Sequence, residues 1–314
     1  MLIKTWTHPG FMLQRSIVYG SNVIRATGLV RKHIFTCLII SFNVIIPLCS
    51  KAYFSAIKDT IPDLPLEEKL TIQGRFSFVT TDRIGNIYAI TSSGRFIKYS
   101  PAGDSLAAYN EVVRFGRPWY ADVSNPFKVF LVYQRIPALI LLDRQLSFQG
   151  NINFQQKGLT NVSAIASSYD NRIWLFDQQQ FVLRKYDEEF QLLMESADCR
   201  QLTGEAITPE KIIEQKNSVW LYDTRLGFFC FDWYGNYKNH LSFTHWKDAG
   251  ATEEVLFGRQ ADTLHVYDRT MFVTRDYLLP VKQDKIQSIN LMNEILLIRT
   301  PDAIKAYQIK TSRF

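Results

Sequence analysis

The chain has 314 residues, of which 46% are hydrophobic and 14% aromatic, enough apolar material to bury a large core. Its formal charge of +6 invites a nucleic-acid reading, but Lys4, Arg15, Arg25, Arg31, Lys32 and Lys51 all sit in residues 1–52, which contain no Asp or Glu. The remainder is electrically balanced, which excludes the basic footprint of a nucleic-acid binder.

In residues 1–52, Arg31, Lys32 and His33 precede an apolar run, Ile34–Leu48, of signal-peptide length and too short to span a bilayer comfortably. Ser50-Lys51-Ala52 places small residues at the two positions a signal peptidase reads. Residues 1–52 are therefore expected to be a signal peptide or leader. The stretch ahead of Arg31 is long for an n-region, so either the start is over-extended or the segment is an uncleaved anchor. A lipidated Cys49 would be another tie to the membrane, although Leu48 stands where a lipoprotein motif wants a small residue. The expectation is an exported protein, periplasmic or associated with the outer membrane. Beyond the leader, Cys199 and Cys230 are expected to be separately buried thiols rather than a disulfide.

Residues 53–68, with Pro62 and Pro65, read as an extended lead-in, and residues 69–314 as one domain. From Lys69 onward no helical periodicity is sustained. Short apolar runs bounded by turn residues recur instead, which predicts an all-β fold built from repeats. The clearest unit is Phe78–Asp104, where Asp82, Gly85-Asn86, a Gly-containing turn and Ser100-Pro101-Ala102-Gly103-Asp104 punctuate three strands. Its second strand, Asn86–Ile90, aligns with Lys128–Val132, Arg172–Phe176, Ser218–Tyr222, Thr263–Tyr267 and Glu294–Ile298. The third positions are Tyr88, Phe130, Trp174, Trp220, His265 and Leu296, at spacings of 42, 44, 46, 45 and 31 residues. That is the period of a four-stranded propeller blade with a shortened last step. Third strands at Ile97–Tyr99, Ile140–Leu142, Arg184–Tyr186 and Cys230-Phe231 agree, and Ser100, Asp143, Asp187 and Asp232 follow them directly to open the next turn. The last unit, with strands at Lys285–Leu291, Glu294–Arg299 and Ala303–Lys310, lacks a fourth, and Lys69–Gln73 is an orphan. A six-bladed β-propeller with four-stranded blades, the last closed by this N-terminal strand, accounts for both.

Asp82-x-x-Gly85-Asn86-Ile87-Tyr88 and Ile97-Lys98-Tyr99-Ser100-Pro101-x-Gly103 resemble the six-bladed propellers of the NHL-repeat and streptogramin-lyase-like kind, over about residues 69–310. The resemblance implies a bacterial envelope propeller. Such propellers include lyases, lactonases and binding scaffolds, so the fold leaves function open.

Histidine is scarce beyond the leader. His240 and His245 suit no helical zinc pair, and His265 falls where other blades carry an aromatic, which marks it as a core or half-buried residue. Lactonase-like propellers hold a divalent cation with inner-strand Glu, Asn and Asp. Glu214, Asn125 and Asn290 lie near suitable strands, but the residues demand neither metal nor cofactor. The aromatic run Phe231–Trp246 either forms a stacking platform or fills the gap between blades. More telling are Arg95, Arg135, Arg225, Arg269 and Arg299, each assigned to a turn between second and third strands and hence to one rim. Arg114, Arg117 and Trp119 are expected on the same face. These residues are either solvated turn positions in weak surface ion pairs or a ring that docks carboxylates of a protein or glycan.

The function expected is an exported, non-catalytic binding scaffold of the cell envelope, a monomer or part of a hetero-complex. The alternative is a metal-dependent lyase or lactonase with its site at the mouth of the channel. Acids and a histidine converging on the axis would favour the enzyme; an exposed arginine-rich face would favour the scaffold.

Overall fold

The computed structural model of the chain describes residues 61–135 and 137–310, so residues 1–52, where a leader is expected, and Cys49 with them lie outside the described residues. Strand β1 is Leu66–Gln73, three residues longer at its start than Lys69–Gln73. Blade 1 follows as β2–β5 (Phe76–Thr81, Ile87–Thr91, Phe96–Tyr99, Ser105–Tyr109) and blade 2 as β6–β9 (Pro118–Asp122, Val129–Tyr133, Ala138–Leu142, Phe148–Asn153). Blade 3 is β10–β13 (Val162–Ser167, Ile173–Asp177, Val182–Tyr186, Leu192–Glu195), and blade 4 is β14–β17 (Lys211–Gln215, Ser218–Asp223, Gly227–Phe231, Tyr237–Leu241). Blade 5 is β18–β21 (Lys247–Ala251, Val255–Gln260, Thr263–Asp268, Val273–Leu278). Blade 6 takes β22–β24 (Ser288–Met292, Ile295–Arg299, Ala303–Ile309) and then β1, which pairs antiparallel with β24 from Leu66↔Ile309 to Gln73↔Ala303. The chain is all-β in six four-stranded blades, and the last is closed by the N-terminal strand. Lys285 lies in a short 3-10 turn ahead of β22 rather than in the strand.

The hairpins form where the sequence places short polar side chains. After four third strands, Ser100, Asp143, Asp187 and Asp232 each turn a side-chain oxygen onto the backbone N–H four residues on, at 3.1, 2.9, 2.6 and 2.9 Å. Asp82 does the same for Asn86 at 2.9 Å, and Gly85 supplies the φ of +89° that its turn needs. Between the turns the second and third strands are mostly apolar, and six buried clusters result, one at each seam between neighbouring blades. The sixth joins Phe76, Val79, Ile87 and Ala89 of blade 1 to Leu297, Ile304 and Ala306 of blade 6 and so closes the ring. Tyr88, Phe130, Trp174 and Trp220 are buried as the shared position requires. Cys199 and Cys230 are separate buried thiols, and burial pushes the Cys199 thiol up to about 11.

Blade 5 departs from the expected register. Thr263–Tyr267 belongs to its third strand, because β20 pairs on one side with β19 (Gly258↔His265) and on the other with β21 (His265↔Asp276). The true second strand is Val255–Gln260, where Phe257, paired with Gly250 and Val266, packs toward blade 6 as Trp220, paired with Ile213 and Cys230, packs toward blade 5. His265 therefore does not occupy the aromatic position. Gly258 helps to hide this strand: a Cβ there would meet the Trp246 side chain at 2.5 Å, so the packing excludes the larger residue that the repeat suggests.

Candidate functional site

Strands within a blade alternate in direction, so second-to-third turns share one face with the connections between blades. First-to-second and third-to-fourth turns share the other. On the first face, the turn after β3 and the connection into β6 meet: a Cβ on Gly94 would lie 2.9 Å from Arg117, and one on Gly116 would lie 3.1 Å from Arg135. Arg95, Arg117 and Arg135 are thereby gathered over blades 1 and 2. Arg114 stands on the short helix α1, Val112–Phe115, between them, its guanidinium 4.7 Å over the Phe115 ring. Arg75 joins the same group, its carbonyl accepting the Ser92 N–H at 2.9 Å. All five arginines are exposed, and among the described residues none makes an ion pair. Trp119, 38% exposed, borders them, and Val113 is fully exposed.

The other expected rim arginines are placed differently. Arg225 is exposed on the same face but across the ring in blade 4, 3.4 Å from the buried Asp223 carboxylate. Arg299 is drawn in: it donates to Ser288 Oγ at 2.9 Å, to the Phe76 carbonyl at 2.8 Å and to Gln287 Oε1, and burial lowers its pKa. It clasps blade 6 to blade 1. Arg269 is not on this rim at all. The corrected register of blade 5 puts it in a third-to-fourth turn on the opposite face. There it lies 4.9 Å over the Trp220 ring and donates to the Glu253 carbonyl at 3.4 Å. Burial lowers its pKa too. Of the expected ring of five, Arg95 and Arg135 join the cluster on blades 1 and 2, Arg225 stands across the ring, Arg299 is drawn into the fold, and Arg269 lies on the other face.

An axial cavity of about 720 Å³ is bounded by the six first strands. Three of its charged side chains bridge neighbouring blades. Asp122 accepts the Ser167 N–H at 2.7 Å; Glu214 accepts the Tyr169 N–H at 2.8 Å and the Ser168 hydroxyl at 3.1 Å; Lys211 donates to the Ala249 carbonyl at 3.0 Å. Burial raises the Glu214 pKa and lowers that of Lys211. Asn125 and Asn290 also line the cavity, but no histidine or cysteine does, and no group of three or more His, Cys, Asp or Glu able to hold a metal occurs among the described residues. His265 lies in an outer strand, its Nδ1 2.7 Å from Asp276 and its ring stacked on Trp246. Asp122, Lys211 and Asp248 were not singled out from the sequence. The signal available was a charged residue inside or at the end of an otherwise apolar first strand.

The aromatic run Phe231–Trp246 mostly fills space. Trp246 is buried and stacks on Phe243 at 4.7 Å, and Tyr237 packs against Phe231. Trp233 stacks on Tyr169 of the neighbouring blade, and only Tyr234 stands well out from the surface.

No family model and no curated protein matches the chain. Among solved structures, virginiamycin B lyase from Staphylococcus aureus aligns with a TM-score of 0.56 at 10% identity, over 77% of this chain and 99% of that one. A Bacteroides fragilis protein named as exported gives 0.53 at 10% identity over 81% and 98%. The Pan2 WD40 domain of Neurospora crassa gives 0.54 at 8% identity over 80% and 98%. Likenesses at such low identity carry the fold and nothing finer. In fold, the chain is a six-bladed β-propeller similar to the streptogramin lyases.

Proposed function

We propose that the chain is a non-catalytic propeller scaffold of the bacterial cell envelope that docks a protein partner through blades 1 and 2. The observation that carries this reading is the gathering of Arg75, Arg95, Arg114, Arg117 and Arg135, exposed and free of ion pairs, beside Trp119. Like charges held together repel one another. An anionic partner relieves that repulsion, and planar guanidinium groups suit carboxylates in two-point contact. The axial cavity supports the same reading, since Asp122, Glu214 and Lys211 in it are engaged with neighbouring blades and no histidine lines it. The envelope location rests on the leader read in residues 1–52.

The test uses the purified protein as bait in envelope extract at low and high salt, with co-eluting proteins identified by mass spectrometry. A partner captured by the wild type at low salt should be lost at high salt, because exposed charge contacts are screened over about 8 Å at physiological ionic strength. It should also be lost with Arg95→Ala/Arg117→Ala/Arg135→Ala. Equal recovery by both proteins at both salts would remove this face from the function.

A further inference from the structure

The arginine cluster runs into a second cavity, and the two together define what they recognise. The turn that carries Arg135 contributes Gln134 and Pro137 to the rim of a cleft of about 260 Å³ between blades 2 and 3. Trp119 lines the same cleft, so one residue borders both the charged patch and the opening. Val132, Phe154, Leu159 and Ile165 give the cleft apolar walls, and Gln134, Thr160 and Asn161 add polar groups to its lining.

We infer that this surface binds an extended acidic peptide segment whose aromatic anchor, a tyrosine or tryptophan, seats in the blade 2–blade 3 cleft while neighbouring Asp and Glu side chains lie along Arg135, Arg117 and Arg95. The inference rests on the docking face proposed above and names its ligand. Each part of the segment answers a separate feature. The cleft has room for one aromatic side chain, and Gln134, Thr160 and Asn161 in its lining offer hydrogen-bond partners to the polar tip of tyrosine or tryptophan. Trp119 at the lip is the residue type that dominates binding energy at protein interfaces. The close approach of Gly94 to the Arg117 side chain and of Gly116 to the Arg135 side chain sets the three arginines side by side along the face, as an extended ligand requires. A polyphosphate or a lipid headgroup would satisfy the arginines but leave the apolar cleft unfilled.

The experiment is selection of a phage-displayed random dodecapeptide library on the immobilised protein, followed by fluorescence anisotropy of the recovered peptides. The expected result is enrichment of Asp and Glu within a few residues of Tyr or Trp. Affinity should fall at least about tenfold on Arg95→Ala/Arg117→Ala and on Trp119→Ala. Replacing the peptide's aromatic residue by Ala should weaken binding on the wild type by a similar factor. Arg95 and Arg117 are exposed, so the arginine variant should keep the wild-type melting temperature. Recovered peptides without the acidic–aromatic pattern, or with equal affinity for wild type and variants, overturn the inference. So does sedimentation of the wild type with phosphatidylglycerol vesicles when no peptide is selected. If extract capture still depends on the arginines while the peptides show no pattern, the ligand assignment falls and the docking face stands; if neither depends on them, both fall.

Discussion

In blades 5 and 6, arginines are absorbed by the fold. Arg259, only 4% exposed, donates from Nε to Asp248 at 3.0 Å and from Nη1 to the Ala261 carbonyl at 2.6 Å, and Arg299 spans from blade 6 to the first strand of blade 1. In blades 1 and 2, Arg95 and Arg135 in second-to-third turns and Arg117 in the connection between the two blades meet no carboxylate. The same residue type therefore does two jobs a third of a ring apart. Its job is decided by whether an acid or a carbonyl lies within reach, not by its place in the repeat.

The largest effect that tests this contrast comes from the sector that holds the ring shut. Deleting residues up to Gln73 removes β1, exposes the edge of β24 and should cause aggregation, read by light scattering. A truncated chain that stayed monomeric with an unchanged melting temperature would falsify the closure as a source of stability. Next comes a direct comparison of the two kinds of arginine. Arg259→Ala leaves Asp248 without its partner and should cost about 3 kcal/mol in urea unfolding. Arg95→Ala should change stability by less than about 1 kcal/mol. Similar losses from both would erase the distinction.

The smallest effect lies between the sectors, at Glu214. Burial holds its pKa above the ordinary value of 4.5, against the bonds from Ser168 and Tyr169. A carboxyl raised in the folded state favours folding fully below its unfolded pKa. That advantage disappears as pH rises through the folded value. Glu214→Gln should therefore gain stability relative to the wild type as pH climbs from about 4.5 towards neutrality. A stability difference that stayed flat over that range would contradict it.

Most of the architecture was legible because its signals are local. Turn-opening Asp and Ser residues and alternating apolar strands need only their own neighbours, and the orphan strand could be matched to the vacant edge by counting. Blade 5 was misread for an equally local reason. Tyr222-Asp223-Thr224-Arg225 and Tyr267-Asp268-Arg269 look alike, and both aspartates accept backbone N–H groups two and three residues on. One closes a second-to-third turn and the other a third-to-fourth turn, and no short window tells them apart. Since such turns alternate between faces, the slip carried Arg269 to the wrong side. The fate of Arg299 was hidden differently: the carbonyl that holds it belongs to Phe76, 223 residues away. The cleft beside Trp119 combines residues of two blades and has no signature in either alone.

The pairing of β1 with β24 also sets a timetable. Glu68 and Lys305, joined across that pair at 3.2 Å, are 237 residues apart, so β1 leaves the ribosome long before its partner exists. At about 5–20 residues per second, it waits roughly 10–50 s as an unpaired strand. Its sequence suits the wait. Glu67, Glu68 and Lys69 interrupt its apolar positions, and charges on an unpaired strand discourage association with other chains. The same Glu68 later receives Lys305 and Tyr307, so a side chain that keeps the nascent chain soluble becomes part of the finished seam.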